Sequence, residues 1–386
     1  MKNERIYEVL AELDREFDKE ALDWLISMYD PKSGGMYYAV SSRDNEPFEP
    51  DIESTTQTLS ILRNLGIVDC DENGRSTYPA WFANGVIRFL SERQDESDGY
   101  FYDPLYKETG KKDKKERNTI FAVNALTNLG VKPPYLTAME RITGNVNSSD
   151  SDQSMYATKE SYLAWLEDIS KNRPDSYYWG SDISSARAMI TASGHLMTTV
   201  EWLKEKQNKE NATWENEFNM TAVNGVLKIC GYFGAHTEPF PNYETFVRKT
   251  VEFTKTFTPP SAASAWNPMG AVRAILTNLP TEPTPEIRAI LDSGIADMIA
   301  NTTVQMRRFR KPDGGFSYGP NGSAIHSNGV KVALGLPEGD VNALALMTLI
   351  YNEAYILSGV PKSNVWAKYR EYFWAQMKEK YDASRV

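Results

Sequence analysis

Cysteine is nearly absent. Cys70 and Cys230 are the only two in 386 residues, too few for a disulfide framework. Histidine numbers three, His195, His236 and His326, and neither cysteine shares a metal-ligand spacing with them. No apolar run approaches the roughly 20 residues that span a bilayer. The opening Met1 to Tyr7 has no apolar stretch of the kind a secretory leader carries. Positive charge is outweighed, with 42 Lys and Arg against 52 Asp and Glu and a net charge of −10. There is no Lys/Arg stripe, and the one basic cluster, Lys111 to Arg117, is short, mixed in sign and reads as a solvated loop. These absences argue against nucleic acid, anionic membranes, secretion and a bound metal or other cofactor, and point to a cytoplasmic protein.

Aromatic side chains are plentiful, with 21 Tyr and 9 Trp. Several fall in three related stretches: Ser33-Gly34-Gly35-Met36-Tyr37-Tyr38, Asp98-Gly99-Tyr100-Phe101-Tyr102 and Asp313-Gly314-Gly315-Phe316-Ser317-Tyr318. Each lies between two segments of helical periodicity, the pattern of a stack of helical hairpins. The first hairpin runs from a helix over Tyr7–Met28 to one opened by Asp51 and closed by Leu65-Gly66. The second joins Trp81–Leu90 to Asn118–Leu129. A third runs from Glu160–Ile169 through a turn at Tyr177–Gly180 to Asp182–Ser193, and a fourth from His195–Lys206 past Trp214 to Asn219–Cys230. A fifth joins Tyr243–Phe257 to Asn267–Leu279, and a sixth joins a helix starting at Thr284-Pro285 to Asp340–Leu357. A last helix, Trp366–Tyr381, is expected to pack against the first.

The returning helices are rich in Ala, Gly, Ser and Thr, as in Asn118–Ala125 and Asn267–Ala274, whereas the preceding ones carry Leu, Phe and Trp. Tightly packed inner helices inside an outer ring make an all-α fold, an α/α toroid of about six helical hairpins in one domain spanning 1–386. Two segments break the pattern: the polar stretch 144–154, read as a mobile loop, and 318–339, a long insertion in the last hairpin. The sequences Arg310–Phe316 and Arg93–Phe101, each followed by a small-residue helix, resemble the repeat of the squalene cyclase and prenyltransferase superfamily. That resemblance implies the toroid and an isoprenoid substrate. It also implies an Asp-rich acid element for a cyclase, or a zinc site of Asp, Cys and His for a protein prenyltransferase. The nearest match to the acid element is Glu338-Gly339-Asp340-Val341-Asn342, which lacks an Asp-x-Asp-Asp run, and neither cysteine lies in an Asp-x-Cys arrangement.

In a toroid the inner helices start at one end, and any ligand site is expected there, among turn aromatics and first-turn polar groups. Asp51, Glu53, Glu338 and Asp340 belong to the first and last hairpins, which ring closure sets side by side as an acid–base group. The same Asp51 and Asp340 are good helix caps. Tyr318 and His326, in the insertion, are further acid–base candidates. Tyr37, Tyr102, Trp179 and Trp266 are candidate stacking surfaces. Asn118, Asn224, Asn267 and Asn342 are candidate hydroxyl ligands, and Arg117, Arg187 and Arg273 candidate carboxylate ligands. The amides serve equally well to satisfy the bundle. On these residues the expected function is a carbohydrate-active enzyme, a hydrolase or lyase on an oligosaccharide, either neutral or uronate-containing. A terpenoid cyclase or prenyltransferase-like protein is one alternative and a non-catalytic ligand-binding toroid the other.

Overall fold

The computed structural model of the chain describes residues 4–109, 112–144, 155–234 and 236–385. Helices α1 (Glu4–Arg15), α2 (Lys19–Ser27), α3 (Val40–Asp44) and α4 (Ile52–Asn64) open the chain, followed by α5 (Ala80–Ser91) and α6 (Lys112–Asn128). Next come α7 (Ala138–Gly144), α8 (Lys159–Asn172), α9 (Ser176–Ser185), α10 (Arg187–Ala192), α11 (Leu196–Lys206) and α12 (Met220–Ile229). The last are α13 (Tyr243–Thr254), α14 (Ala262–Thr277), α15 (Pro285–Met306), α16 (Val341–Ser358) and α17 (Arg370–Ala383). The inner helices pack in the spatial order α6, α4, α16, α14, α12, α9, each with an outer helix behind it in sequence. The fold is an all-α toroid of six hairpins. The inner helix α4 is buried nearly all round, with Ile52 to Leu59 buried without a break. Among the described residues no helix is long and apolar enough to cross a membrane.

The three glycine turns share one bonding scheme. Gly34 donates to the carbonyl of Asp30, and Asp30 to that of Gly35; Gly99 and Asp95, and Gly314 and Lys311, repeat it. Each glycine takes a left-handed φ, between 77° and 90°, where a side chain would be strained. Close approach adds a second reason at Gly34, where a Cβ would lie 2.6 Å from the Gly85 carbonyl carbon. The aromatic or methionine that follows is buried and docks the turn on the next inner helix. Met36 N–H donates to Thr55 Oγ1 at 2.9 Å and Phe101 N–H to Thr119 Oγ1 at 3.0 Å. A fourth turn repeats the scheme without glycine. Asn208 donates to Thr213 and receives from Ala212, and Ala212 holds φ 57°. Gln207 there bonds the Ala212 and Pro241 carbonyls, as Gln94 bonds those of Gly99 and Tyr135.

Several expectations are corrected. Tyr7–Met28 is two helices, because Asp18 caps a new one by accepting from Ala21 N–H at 3.0 Å. Lys112–Arg117 is no solvated loop but the first turns of α6, with Lys114 buried against a carboxylate. Tyr177–Gly180 is no turn either. It lies inside α9, whose cap is Asp175, and the small Gly180 packs on Ile229 of α12. Helix α14 starts at Ser261, its N-cap, and carries Pro268 within it. The last helix, α17, packs as expected on the first predicted helix, through its α2 half, while α1 packs on α15 and α16. The stretch 145–154, expected as a mobile loop, lies outside the described residues, and Gly144 ends α7. The insertion carries a two-stranded antiparallel hairpin, β1 (His326–Ser327) with β2 (Val330–Lys331), in which Ser327 pairs with Val330. It shares a small separate core, Tyr38, Ala39, Val330, Val332 and Ala333, with the chain before α3.

Candidate functional site

The N-terminal end of α4 places charged groups where the fold would otherwise put apolar ones. Asp51 is the N-cap, accepting from the Ser54 N–H and hydroxyl, each at 2.7 Å. Two residues on, Glu53 is buried, and its carboxylate gathers donors from two other elements, α6 and β1. Lys114 Nζ lies 3.0 Å from Oε2, Arg117 Nε and Nη2 lie 2.9 and 2.6 Å from Oε1, and Ser327 Oγ donates at 3.1 Å. Burial alone would raise the pKa of Glu53. The charges of Lys114 and Arg117 overrule it and hold the group down at about 2.

Asp103 completes the cluster. It accepts from Ile52 N–H at 2.8 Å and Asn118 Nδ2 at 2.9 Å, with Arg93 Nε 3.9 Å away. Burial pushes Asp51 up to about 7, helped by the charge of Asp103 and opposed by Lys114. Burial moves Asp103 in the same direction. The two carboxyls line a pocket with Phe48, Glu49, Pro50, Leu105, Tyr106 and Val332, about 10 Å³ in volume, enough for one water. A pair raised by burial thus stands beside an ionised Glu53. Among the described residues no three His, Cys, Asp or Glu side chains are gathered to hold a metal ion.

The last hairpin supplies the other two carboxylates. Asp340 caps α16, accepting from Ala343 N–H at 2.7 Å and Tyr318 N–H at 2.6 Å. Burial pushes it up to about 7, and the nearby Tyr38 hydroxyl makes no well-formed hydrogen bond. Glu338 accepts from Ser41 N–H and hydroxyl at 2.7 and 2.5 Å and from Ser323 Oγ at 3.0 Å. It thereby pins the insertion to α3. Helices α4 and α16 are neighbours, joined where Gln57 Nε2 donates to Asn342 Oδ1 at 2.9 Å. His326 is exposed on β1.

Around the toroid, adjacent inner helices are tied by polar pairs. Asn267 Nδ2 donates to Asn224 Oδ1 at 2.7 Å between α14 and α12. Arg273 Nε lies 2.8 Å from the fully buried Glu353, between α14 and α16. Trp266 sits half-buried beside Glu353. Arg117 and Phe121 of α6 are in contact, guanidinium 4.7 Å from the ring centre, and Arg117 also feels the hydroxyls of Tyr177 and Tyr318. The Lys228 ammonium of α12 lies 5.2 Å from the Tyr177 ring centre.

Other candidate residues lie apart from these groups. Trp179 is in the core, edge-on to Trp202 and Trp214. Tyr37 and Tyr102 are half-buried at their turns, Tyr102 donating to Asp98 at 2.6 Å. Arg187 is exposed on α10 beside the Tyr232 ring. Sequence reasoning passed over Lys114, Asp103, Arg93, Tyr177 and Lys228. A signal existed for the first: Lys114 and Arg117 share a helix face at spacing three.

No family model matches the chain, and no curated protein does. Among solved structures, the type II terpene cyclase MstE from Scytonema is 13% identical, with 91% of this chain and 99% of that one covered and a TM-score of 0.45. A protein from Actinoplanes is also 13% identical, covering 91% of this chain and 100% of its own, with a TM-score of 0.41.

Proposed function

We propose that the chain is an enzyme working by general-acid catalysis on an isoprenoid-type substrate in the lumen of the toroid. The observation that carries this reading is the buried Asp51–Asp103 pair at the N-terminal end of α4, where burial raises both carboxyls and the charge of Asp103 adds to the rise of Asp51 to about 7. Protonating an alkene requires a carboxyl that still holds its proton. A pocket of about 10 Å³, room for one water, lies against the pair. The half-buried rings of Phe121, Tyr318 and Trp266, with the exposed Tyr177, offer π faces to positive charge that develops on carbon. The amide and guanidinium groups on which an oligosaccharide reading depends are engaged with one another across the inner helices, at Gln57–Asn342, Asn224–Asn267 and Arg273–Glu353.

A second reading, a carbohydrate-active enzyme on a uronate-containing oligosaccharide, is favoured by one observation: the lumen cation Lys228, which has no anionic partner among the described residues. One experiment separates the two. The protein is incubated with linear polyprenols and polyprenyl diphosphates, and in parallel with neutral and uronate oligosaccharides, and products are read by mass spectrometry. Cyclised isoprenoids that vanish in Asp51→Asn and Asp103→Asn support the first reading. Unsaturated uronate products or new reducing ends, without cyclised isoprenoid, replace it with the second.

A further inference from the structure

We infer that the lumen contains a binding site for an oxyanion, centred on Lys228 and completed by Arg117, Tyr177 and Tyr318. Lys228 is half-buried on α12, and among the described residues no carboxylate and no hydrogen-bond acceptor is assigned to its ammonium. The other cations that line or flank the lumen are matched: Lys114 and Arg117 to Glu53, Arg273 to Glu353. Removing an ammonium from water without an anion is unfavourable, and here the charge of Arg117 adds to the penalty, so burial and Arg117 together lower the pKa of Lys228. A ligand anion between the two cations removes both costs.

The surroundings fit that occupant. Arg117 engages Glu53 through Nε and Nη2, which leaves Nη1 outside that ion pair. Its guanidinium is within electrostatic reach of the hydroxyls of Tyr177 and Tyr318, phenols able to donate to an oxyanion. The groups come from α6, α9, α12 and the start of the insertion. Lys114 and Arg117 hold Glu53 ionised, and Lys228 adds a cation that no carboxylate among the described residues pairs. This is a positive locus in a chain whose net charge is −10, and a focused field of that sign attracts anions. Two ligands share the required chemistry, a diphosphate headgroup and a uronic carboxylate. The inference rests on the lumen being the ligand site and is independent of the acid role given to Asp51.

The test is isothermal titration of the full chain with pyrophosphate and, separately, glucuronate, at ionic strength held constant with chloride. The proteins are wild type, Lys228→Met, Lys228→Arg and Asp51→Asn. The expected result is binding of at least one anion by wild type, weakened tenfold or more by Lys228→Met and largely restored by Lys228→Arg. Preference for pyrophosphate assigns a diphosphate headgroup, and preference for glucuronate a uronic acid. Asp51→Asn is expected to bind like wild type, so failure of the acid reading leaves this result standing. The proposal is overturned if wild type binds neither anion, or if a folded Lys228→Met binds as tightly as wild type.

Discussion

Ala212 holds a left-handed backbone, φ 57°, inside a buried turn. That conformation costs an L-residue about 1–2 kcal/mol, and the turn keeps it because its hydrogen-bond scheme is the one the glycine turns use. Ala212→Gly therefore relieves strain at a position where glycine belongs. Against the entropy glycine loses on folding, the net gain is about 0.5–1 kcal/mol, read as a higher midpoint in thermal unfolding. The reverse change at Gly34 is expected to destabilise, since its Cβ would meet the Gly85 carbonyl carbon at 2.6 Å. At least 1–2 kcal/mol of loss follows from strain and overpacking together. If Gly34→Ala and Ala212→Gly both left the midpoint unchanged, the shared turn geometry would be wrong. The same two residues show what was legible in the sequence. The glycine turns announced themselves because glycine is nearly obligatory at their φ. The fourth stayed hidden because backbone hydrogen bonds, which leave no residue signature, enforce it on alanine.

Among elements, the join between α4 and α6 depends on the Glu53–Lys114 pair, whose side chains are 3% and 4% exposed. Removing one partner of such a pair leaves a buried charge uncompensated and costs about 3–5 kcal/mol. Lys114→Met is thus expected to lower stability by roughly that amount, less whatever Arg117 recovers. The double variant Lys114→Met/Glu53→Gln is expected to regain part of it, because the buried carboxylate is gone and only the partly exposed Arg117 loses its counter-ion. Chemical denaturation of the two single variants and the double variant closes the cycle, and additive losses would refute the coupling. The ion pair was not legible beforehand. Lys111 to Arg117 has the composition of a surface loop, and only tertiary packing against α4 decides that its first turns are buried helix. The inner-helix asparagines were legible as polar lining. Their pairing across helices was not, since Asn224 and Asn267 lie 43 positions apart and no local pattern links them.

For the molecule as a whole, the mouth carboxyls fix how stability responds to pH. Asp51 and Asp340 are each pushed up to about 7 in the folded protein, against about 4 in an unfolded chain. Between those values the folded state binds protons that the unfolded state has released, so stability falls as pH rises from about 4 to about 7 and levels off above. Glu53 acts in the opposite sense. Held at about 2 when folded, it loses stabilising power as pH drops from about 4.5 toward 2. These groups together place the optimum near pH 4–5, well below the neutral optimum usual where paired carboxylates dominate. Asp51→Asn separates this account from a general charge effect. The amide oxygen can still cap Ser54 N–H, the Ser54 hydroxyl can turn to accept from the amide nitrogen, and the titrating group is gone. Thermal midpoints measured from pH 4 to pH 8 are expected to decline in wild type and to decline less in Asp51→Asn. The same slope in both would mean that Asp51 ionises normally in the fold, and the acid at the mouth of the toroid would have to be sought at Asp340.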